Sequence, residues 1–229
     1  MLHRRLVLVV LLLIGAPAFA QLRWQAGSDY IVLPKAVRAG APADKIEVAE
    51  VFSYACPFCF KAREDVAMLA AALPADTAMV YVHASFLPQE DWPMFQRAYY
   101  TALQLGIAKA NHEKMFEAIW QTHEIKLADP VTGRINNPMP SIEDAAKFYA
   151  RVSKVTVARF LQVAKSPAID AAMRHADELV KLWRVPGTPQ LVVDGHYLVN
   201  NDLPFDEQAQ IVQFLVRRER AVRNAASAK

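Results

Sequence analysis

The stretch FSYACPFCF contains Cys56 and Cys59, the two cysteines of the chain, separated by Pro57 and Phe58. Three chemistries compete for such a pair. A structural zinc site takes four Cys or His ligands, commonly as two pairs. Here the second pair is missing, and His112 and His123 stand too far apart to supply a half-site, so no metal is expected. A structural crosslink over four residues restrains little unfolded chain, with loop entropy of about 2 kcal/mol against about 3 kcal/mol for fifteen residues. The third chemistry is redox exchange. If Pro57 opens a helix, Cys56 sits over unpaired N–H groups at the positive end of the helix dipole, where a thiol loses its proton more readily. An ordinary thiol near pKa 8.5 is only a few per cent ionised at pH 7. Stabilising the thiolate favours the reduced protein and makes the disulfide a stronger oxidant. Cys59, one turn into the helix, is expected as the more buried resolving partner. We therefore read the pair as a redox reagent.

Such a pair needs a strand–helix junction to hold it. Ile46–Tyr54 reads IEVAEVFSY, apolar on both alternating faces, which predicts a strand buried on both sides. Pro57 suits the first turn of a helix, where its missing N–H would be unpaired anyway. Val66, Leu69, Ala70 and Leu73 continue the apolar stripe to Pro74, and Met79–Leu87 reads as a second strand. Upstream, Tyr30–Leu33 reads as a short edge strand, followed by the loop AVRAGAPADK. Downstream, apolar residues at helical spacing predict helices over Trp92–Leu105 and Asn111–His123, then a Pro/Gly/Asn-rich loop over Lys126–Pro140. Ser141 and Asp144 form an S-x-x-D start signal for a helix over Ile142–Ala150. Two more helices follow, Val155–Ala164 and Pro167–Trp183. Gln190–Val193, the turn Asp194-Gly195 and Tyr197–Val199 predict a hairpin, and an amphipathic helix runs from Phe205 to Arg220. The order βαβ, helical block, ββα indicates one α/β domain interrupted by a helical insertion. Residues 21–88 and 176–229 form its two parts, and residues 89–175 form the insertion.

The N-terminus bears on the compartment. His3, Arg4 and Arg5 precede the apolar run Leu6–Ile14, then Gly15, Pro17 and the small-residue tripeptide Ala18-Phe19-Ala20. This is the pattern of a secretory signal peptide over residues 1–20, cleaved before Gln21. Leu6–Ala20 is too short for a membrane span, which needs about 20 apolar residues. The whole chain carries +3, and removal of Arg4 and Arg5 leaves +1. The tail RRERAVRNAASAK concentrates the remaining positive charge, with five basic residues and one acid. A nucleic-acid binder wants a basic face across the domain, so no nucleic-acid partner is expected and the tail reads as a solvated helix end. Two cysteines in an exported chain of this length do not make a stapling framework.

A strand–C-x-x-C–helix unit and the stretch VPGTPQLVVDGHYLV before a late hairpin together resemble the thioredoxin fold. With the helical insertion, the signal peptide and the lone cysteine pair, the chain resembles the DsbA family of periplasmic thiol oxidases over nearly all of residues 25–220. The resemblance implies that Cys56 is the exposed attacking cysteine and Cys59 the buried one. It makes Pro189 a cis-proline and Thr188 the residue whose backbone pairs with a bound substrate strand, with Pro57 and Phe58 beside it at the substrate face. A cis X–Pro bond is far less costly than any other cis peptide, and a strand edge can hold an extended peptide by main-chain hydrogen bonds. Glu50, an acid in an apolar strand that needs a partner or a task, matches the family's buried acid, which helps move protons during exchange.

Two departures from the family are visible. Phe58 stands where histidine commonly precedes the second cysteine, so a donor near the thiolate is missing. Tyr81, with His83 nearby, stands where a lysine often pairs with the buried acid, so Glu50 is expected to hold its proton more tightly. The resemblance further implies reduced, unfolded substrate proteins in the periplasm, reoxidation by a DsbB-like quinone-linked membrane protein, no cofactor, and a chain acting as a monomer. Two other readings are a reductase or isomerase of the same fold, and a peptide-binding chaperone with an incidental disulfide.

Overall fold

A seven-residue strand buried at every position sets the centre of the fold. This strand, β2 (Ile46–Phe52), runs parallel to β3 (Thr77–His83) and antiparallel to β4 (Gln190–Val193). Beyond β4 lie β5 (Tyr197–Val199) and the edge strand β1 (Tyr30–Val32), giving the order β1-β5-β4-β2-β3. The computed structural model describes residues 23–228, so the expected signal peptide lies outside the described residues.

α1 (Pro57–Ala72) connects β2 to β3. Five helices then intervene before β4, namely α2 (Trp92–Gln104), α3 (Ala108–Trp120), α4 (Ile142–Val152), α5 (Val157–Ala164) and α6 (Pro167–Leu182). After the hairpin, α7 (Phe205–Ser227) closes the chain. This is the expected thioredoxin fold with a helical insertion. α6 is one continuous helix, so the boundary expected between residues 175 and 176 falls inside it.

Side-chain alternation along β2 divides the core. Ile46 and Val48 face a cluster with Leu69 of α1 and Ile211, Val212 and Leu215 of α7. Ala49 and Val51 belong to a second cluster that includes Phe95, Met115, Phe148, Phe160 and Trp183 from the inserted helices. Burial of that apolar area, at about 25 cal/mol per Å², makes the inserted helices and the sheet share one core.

Local signals act where expected. Ser141 and Asp144 form a full capping box, with the Asp144 N–H donating to Ser141 Oγ (3.2 Å) and the Ser141 N–H to Asp144 Oδ2 (3.0 Å). Asp194 and Gly195 both take left-handed backbone, φ 50° and 61°, and the His196 N–H donates to the Val193 carbonyl (2.9 Å), which is primed-turn geometry.

Several element ends differ from expectation: α3 runs Ala108–Trp120, three residues earlier than Asn111–His123, and the largest differences are at β3 and α7. β3 spans Thr77–His83, not Met79–Leu87, because the Ala84 N–H makes the last bond to the Phe52 carbonyl (2.7 Å) where β2 itself stops. α7 continues past Arg220 to Ser227. Its arginines are not a merely solvated end. Arg218 donates to the Tyr30 hydroxyl (3.0 Å), Arg220 pairs with Asp76 (2.5 and 2.7 Å), and Arg223 grips both oxygens of Asp194 (2.8 Å each).

Candidate active site

The chain leaves β2 at Phe52, turns through Ser53, Tyr54 and Ala55, and enters α1 at Pro57 with Cys56 as the helix N-cap. The turn closes on itself: the Cys56 N–H donates to the Ser53 carbonyl (3.1 Å) and the Ala55 N–H to Ser53 Oγ (3.2 Å). Cys56 keeps extended backbone, φ −88° and ψ 117°, and Pro57 occupies the first helical turn as its preset φ allows.

Both cysteines are free thiols and both are buried. Cys59 is 1% exposed, in accord with the buried partner expected there. Cys56 is only 3% exposed, which corrects the expectation of an exposed attacking sulfur. Its thiol tucks against the loop before β4 and donates to the Thr188 carbonyl at 3.5 Å. Exposure passes instead to its neighbours, Pro57 and Phe58, with Phe58 at 65%. The Thr188–Pro189 bond is cis, as the family resemblance implies.

The two thiols are unequal in acidity. Cys56 falls from 9.0 to about 6, first because the Cys59 thiol donates to its sulfur, against an opposing cost of burial. The Thr188 side chain and the N–H groups of Cys59 and Phe58 add to the lowering. As a neutral thiol Cys56 accepts no cap hydrogen bond; ionised, it faces these donors. The Thr188 hydroxyl is buried with no partner among the described residues, which leaves it free to turn to sulfur. Cys59 is pushed up, first by burial and then by its hydrogen bond and charge coupling to Cys56. A helix start, with one thiol donating to the other, thus separates a nucleophile from a thiol that keeps its proton.

Glu50 lies mid-strand in β2, opposite Tyr81 of β3 and Leu191 of β4. It is 3% exposed, and its pKa rises from 4.5 to about 8, through burial first and then repulsion from Glu113 and Cys56. Tyr81 supplies no positive charge, so the acid holds its proton more tightly, in the direction expected. His83 does not serve Glu50. Its Nε2 accepts from the Tyr54 N–H (3.1 Å) and its Nδ1 bonds the Ala84 carbonyl (2.8 Å), and burial lowers its pKa to about 3.

Other residues around the pair carry no signal in the sequence. Glu113, on α3, meets Arg63 of α1 at 3.5 Å and adds to the field on Glu50. His112, beside it, is held neutral by burial, its pKa lowered to about 4. Both reach the redox turn only through the tertiary packing of α3, and helical periodicity marks α3 without marking which of its polar groups face the turn.

Two sulfurs of opposed acidity, one capping the helix that follows the central strand and facing a cis-proline loop, define a thiol–disulfide oxidoreductase on the thioredoxin fold. Comparison with known proteins narrows this class. No family model matches the chain. The thiol:disulfide interchange protein DsbA of Pseudomonas aeruginosa is 31% identical over 224 residues, covering 95% of this chain and 98% of that protein. DsbA of Pseudomonas syringae pv. tomato is 30% identical over 222 residues, covering 96% and 95%. Among solved structures, the oxidoreductase DsbA from Xylella fastidiosa superposes with a TM-score of 0.76 at 32% identity, over 86% of this chain and 98% of that one. The chain belongs to the DsbA family.

Proposed function

We propose that this protein donates the Cys56–Cys59 disulfide to reduced, newly exported proteins. The reading rests on the opposed acidities of the two thiols, Cys56 lowered to about 6 and Cys59 raised. A substrate thiolate attacks the Cys56 sulfur, the bond to Cys59 breaks, and Cys59 leaves as a thiol after taking up a proton. A second substrate thiolate then attacks its own sulfur in the mixed disulfide and releases Cys56 as the favoured thiolate. The substrate loses two electrons and gains a disulfide, and the protein gains two electrons and becomes the dithiol.

Glu50, with its pKa near 8, suits a buried store for the proton that Cys59 takes up. The Thr188 backbone, beside Pro189, offers main-chain hydrogen bonds to an extended substrate, and exposed Phe58 with Pro57 adds an apolar contact next to the sulfur. Reoxidation requires an acceptor of two electrons, for which a DsbB-like quinone-linked membrane protein is the family's implied partner. A cleavable leader over residues 1–20, as the sequence pattern suggests, would direct the protein to the periplasm, where we take it to act as a monomer.

The test is oxidation of a reduced, unfolded substrate protein by the purified disulfide form. Cys56→Ser is expected to abolish turnover, and retention of full activity in that variant would refute the assignment.

A further inference from the structure

Tyr54, two residues before Cys56, is completely buried, and all three of its polar groups are engaged by different side chains. Its N–H donates to His83 Nε2 on β3 (3.1 Å). Its carbonyl accepts from Trp120 Nε1 on α3 (2.8 Å), and its hydroxyl pairs with His112 Nδ1 on the same helix (3.0 Å). The approach to the sulfur is therefore tied to the sheet on one side and to the inserted helices on the other. Trp120 reaches further: its ring stacks on Phe60, in the first turns of α1, at 6.2 Å and 25°. One side chain of α3 thus touches the chain before Cys56 and the helix after it. Arg63 reinforces the same junction, donating to the Phe60 carbonyl (2.7 Å) and meeting Glu113 of α3.

We propose that Tyr54, His112 and Trp120 are positioning residues of the dithiol, through which the inserted α3 fixes the redox turn against the start of α1 and so sets the oxidising strength of the disulfide. Hydrogen bonds to a sulfur anion weaken steeply as distance and angle depart from their optimum, so the thiolate needs the turn and the helix held in one register. The disulfide has no charge to stabilise and is less sensitive to that register. Loosening the ties therefore penalises the reduced form more than the oxidised one, and the protein becomes a weaker oxidant. The helical insertion acts in this way on chemistry it does not touch.

The inference rests on the dithiol reading above. Equilibration of the wild-type protein with glutathione checks that reading first, since a protein that exchanges no disulfide would remove both. Tyr54→Phe deletes only the hydroxyl and Trp120→Phe only the indole donor and part of the stack. Each is expected to lower the equilibrium constant for reduction by glutathione three- to tenfold, where tenfold corresponds to about 30 mV. Each is also expected to move the thiolate absorbance titration of Cys56 to higher pH. Thermal unfolding of the oxidised form controls for general destabilisation. An equilibrium constant within twofold of wild type in both variants, whatever their melting temperatures, would overturn the proposal and leave the ties structural only. Should Tyr54→Phe fail to fold, Trp120→Phe carries the test, because that side chain is only partly buried and phenylalanine retains part of its packing.

Discussion

Cys56 and Cys59 carry the same side chain three residues apart, yet the structure drives their acidities in opposite directions. For Cys56 the descent from 9.0 to about 6 represents roughly 4 kcal/mol at full strength. A folded-state pKa below the unfolded one stabilises the fold above the unfolded value and loses that contribution as pH falls through the folded one. At pH 7 about 1.4 kcal/mol is therefore present, and below about pH 5 almost none. The disulfide form has no such thiol. Glu50 is raised mainly by burial, which both redox forms share, so it largely cancels between them. The stability of the reduced protein relative to the oxidised one is expected to rise by about 2.5 kcal/mol between pH 5 and pH 8. Denaturant unfolding of both forms across that range measures it, and a flat difference would contradict an ionised Cys56. The residue types and the spacing made this pair legible from the sequence. The largest cause of the shift, the hydrogen bond from Cys59, was not, because it depends on how the two side chains turn toward each other.

At the scale of elements, the strongest local signals were the most legible. A short run apolar on both faces marked β2, and Ser141 with Asp144 marked the start of α4. Asp194-Gly195 marked the hairpin, and there the reason for glycine is tertiary as well as local. A Cβ on Gly195 would lie 1.9 Å from the Val37 carbonyl oxygen, at φ +61°. That carbonyl cannot give way, since it accepts from the buried Trp183 Nε1 (2.8 Å) while the Val37 N–H donates to the Gly195 carbonyl (3.1 Å). Gly195→Ala is expected to cost about 2 kcal/mol or more in denaturant unfolding, and a loss below about 0.5 kcal/mol would show that the hairpin yields. The end of β3 was not legible, because apolar residues continue to Leu87 while the pairing partner stops at Phe52. Apolar pattern fixes which face a strand buries and says little about where its neighbour ends.

Across the whole molecule, the ties hidden from the sequence are those between distant charges. Glu47 is fully buried, yet its carboxylate accepts from the N–H groups of Ala39 (2.7 Å), Gly40 (3.0 Å) and Ala41 (2.8 Å). An uncompensated charge there would be costly, and the Ala/Gly-rich loop folds around it as a cradle. Asp194 gathers Arg38 (3.1 Å) and Arg223 (2.8 Å) from opposite ends of the chain, which is why a tail that looks solvated in the sequence ends as an anchored helix. Composition records the arginines without their partners.

The depth of Cys56 has a further consequence. Its acidity favours reaction with an electrophile, whereas its 3% exposure restricts the approach of large reagents. Reactivity and reach are thereby uncoupled. Small alkylating agents are expected to label the reduced protein rapidly at neutral pH, and bulky maleimides orders of magnitude more slowly than they label a free cysteine of equal acidity. Equal rates for the two reagent sizes would show that the opening is wide. The same restriction would bear on proteins, favouring a cysteine on a slack, protruding strand over one locked in a native surface. The fold would thus sort its clients by the looseness of their backbone.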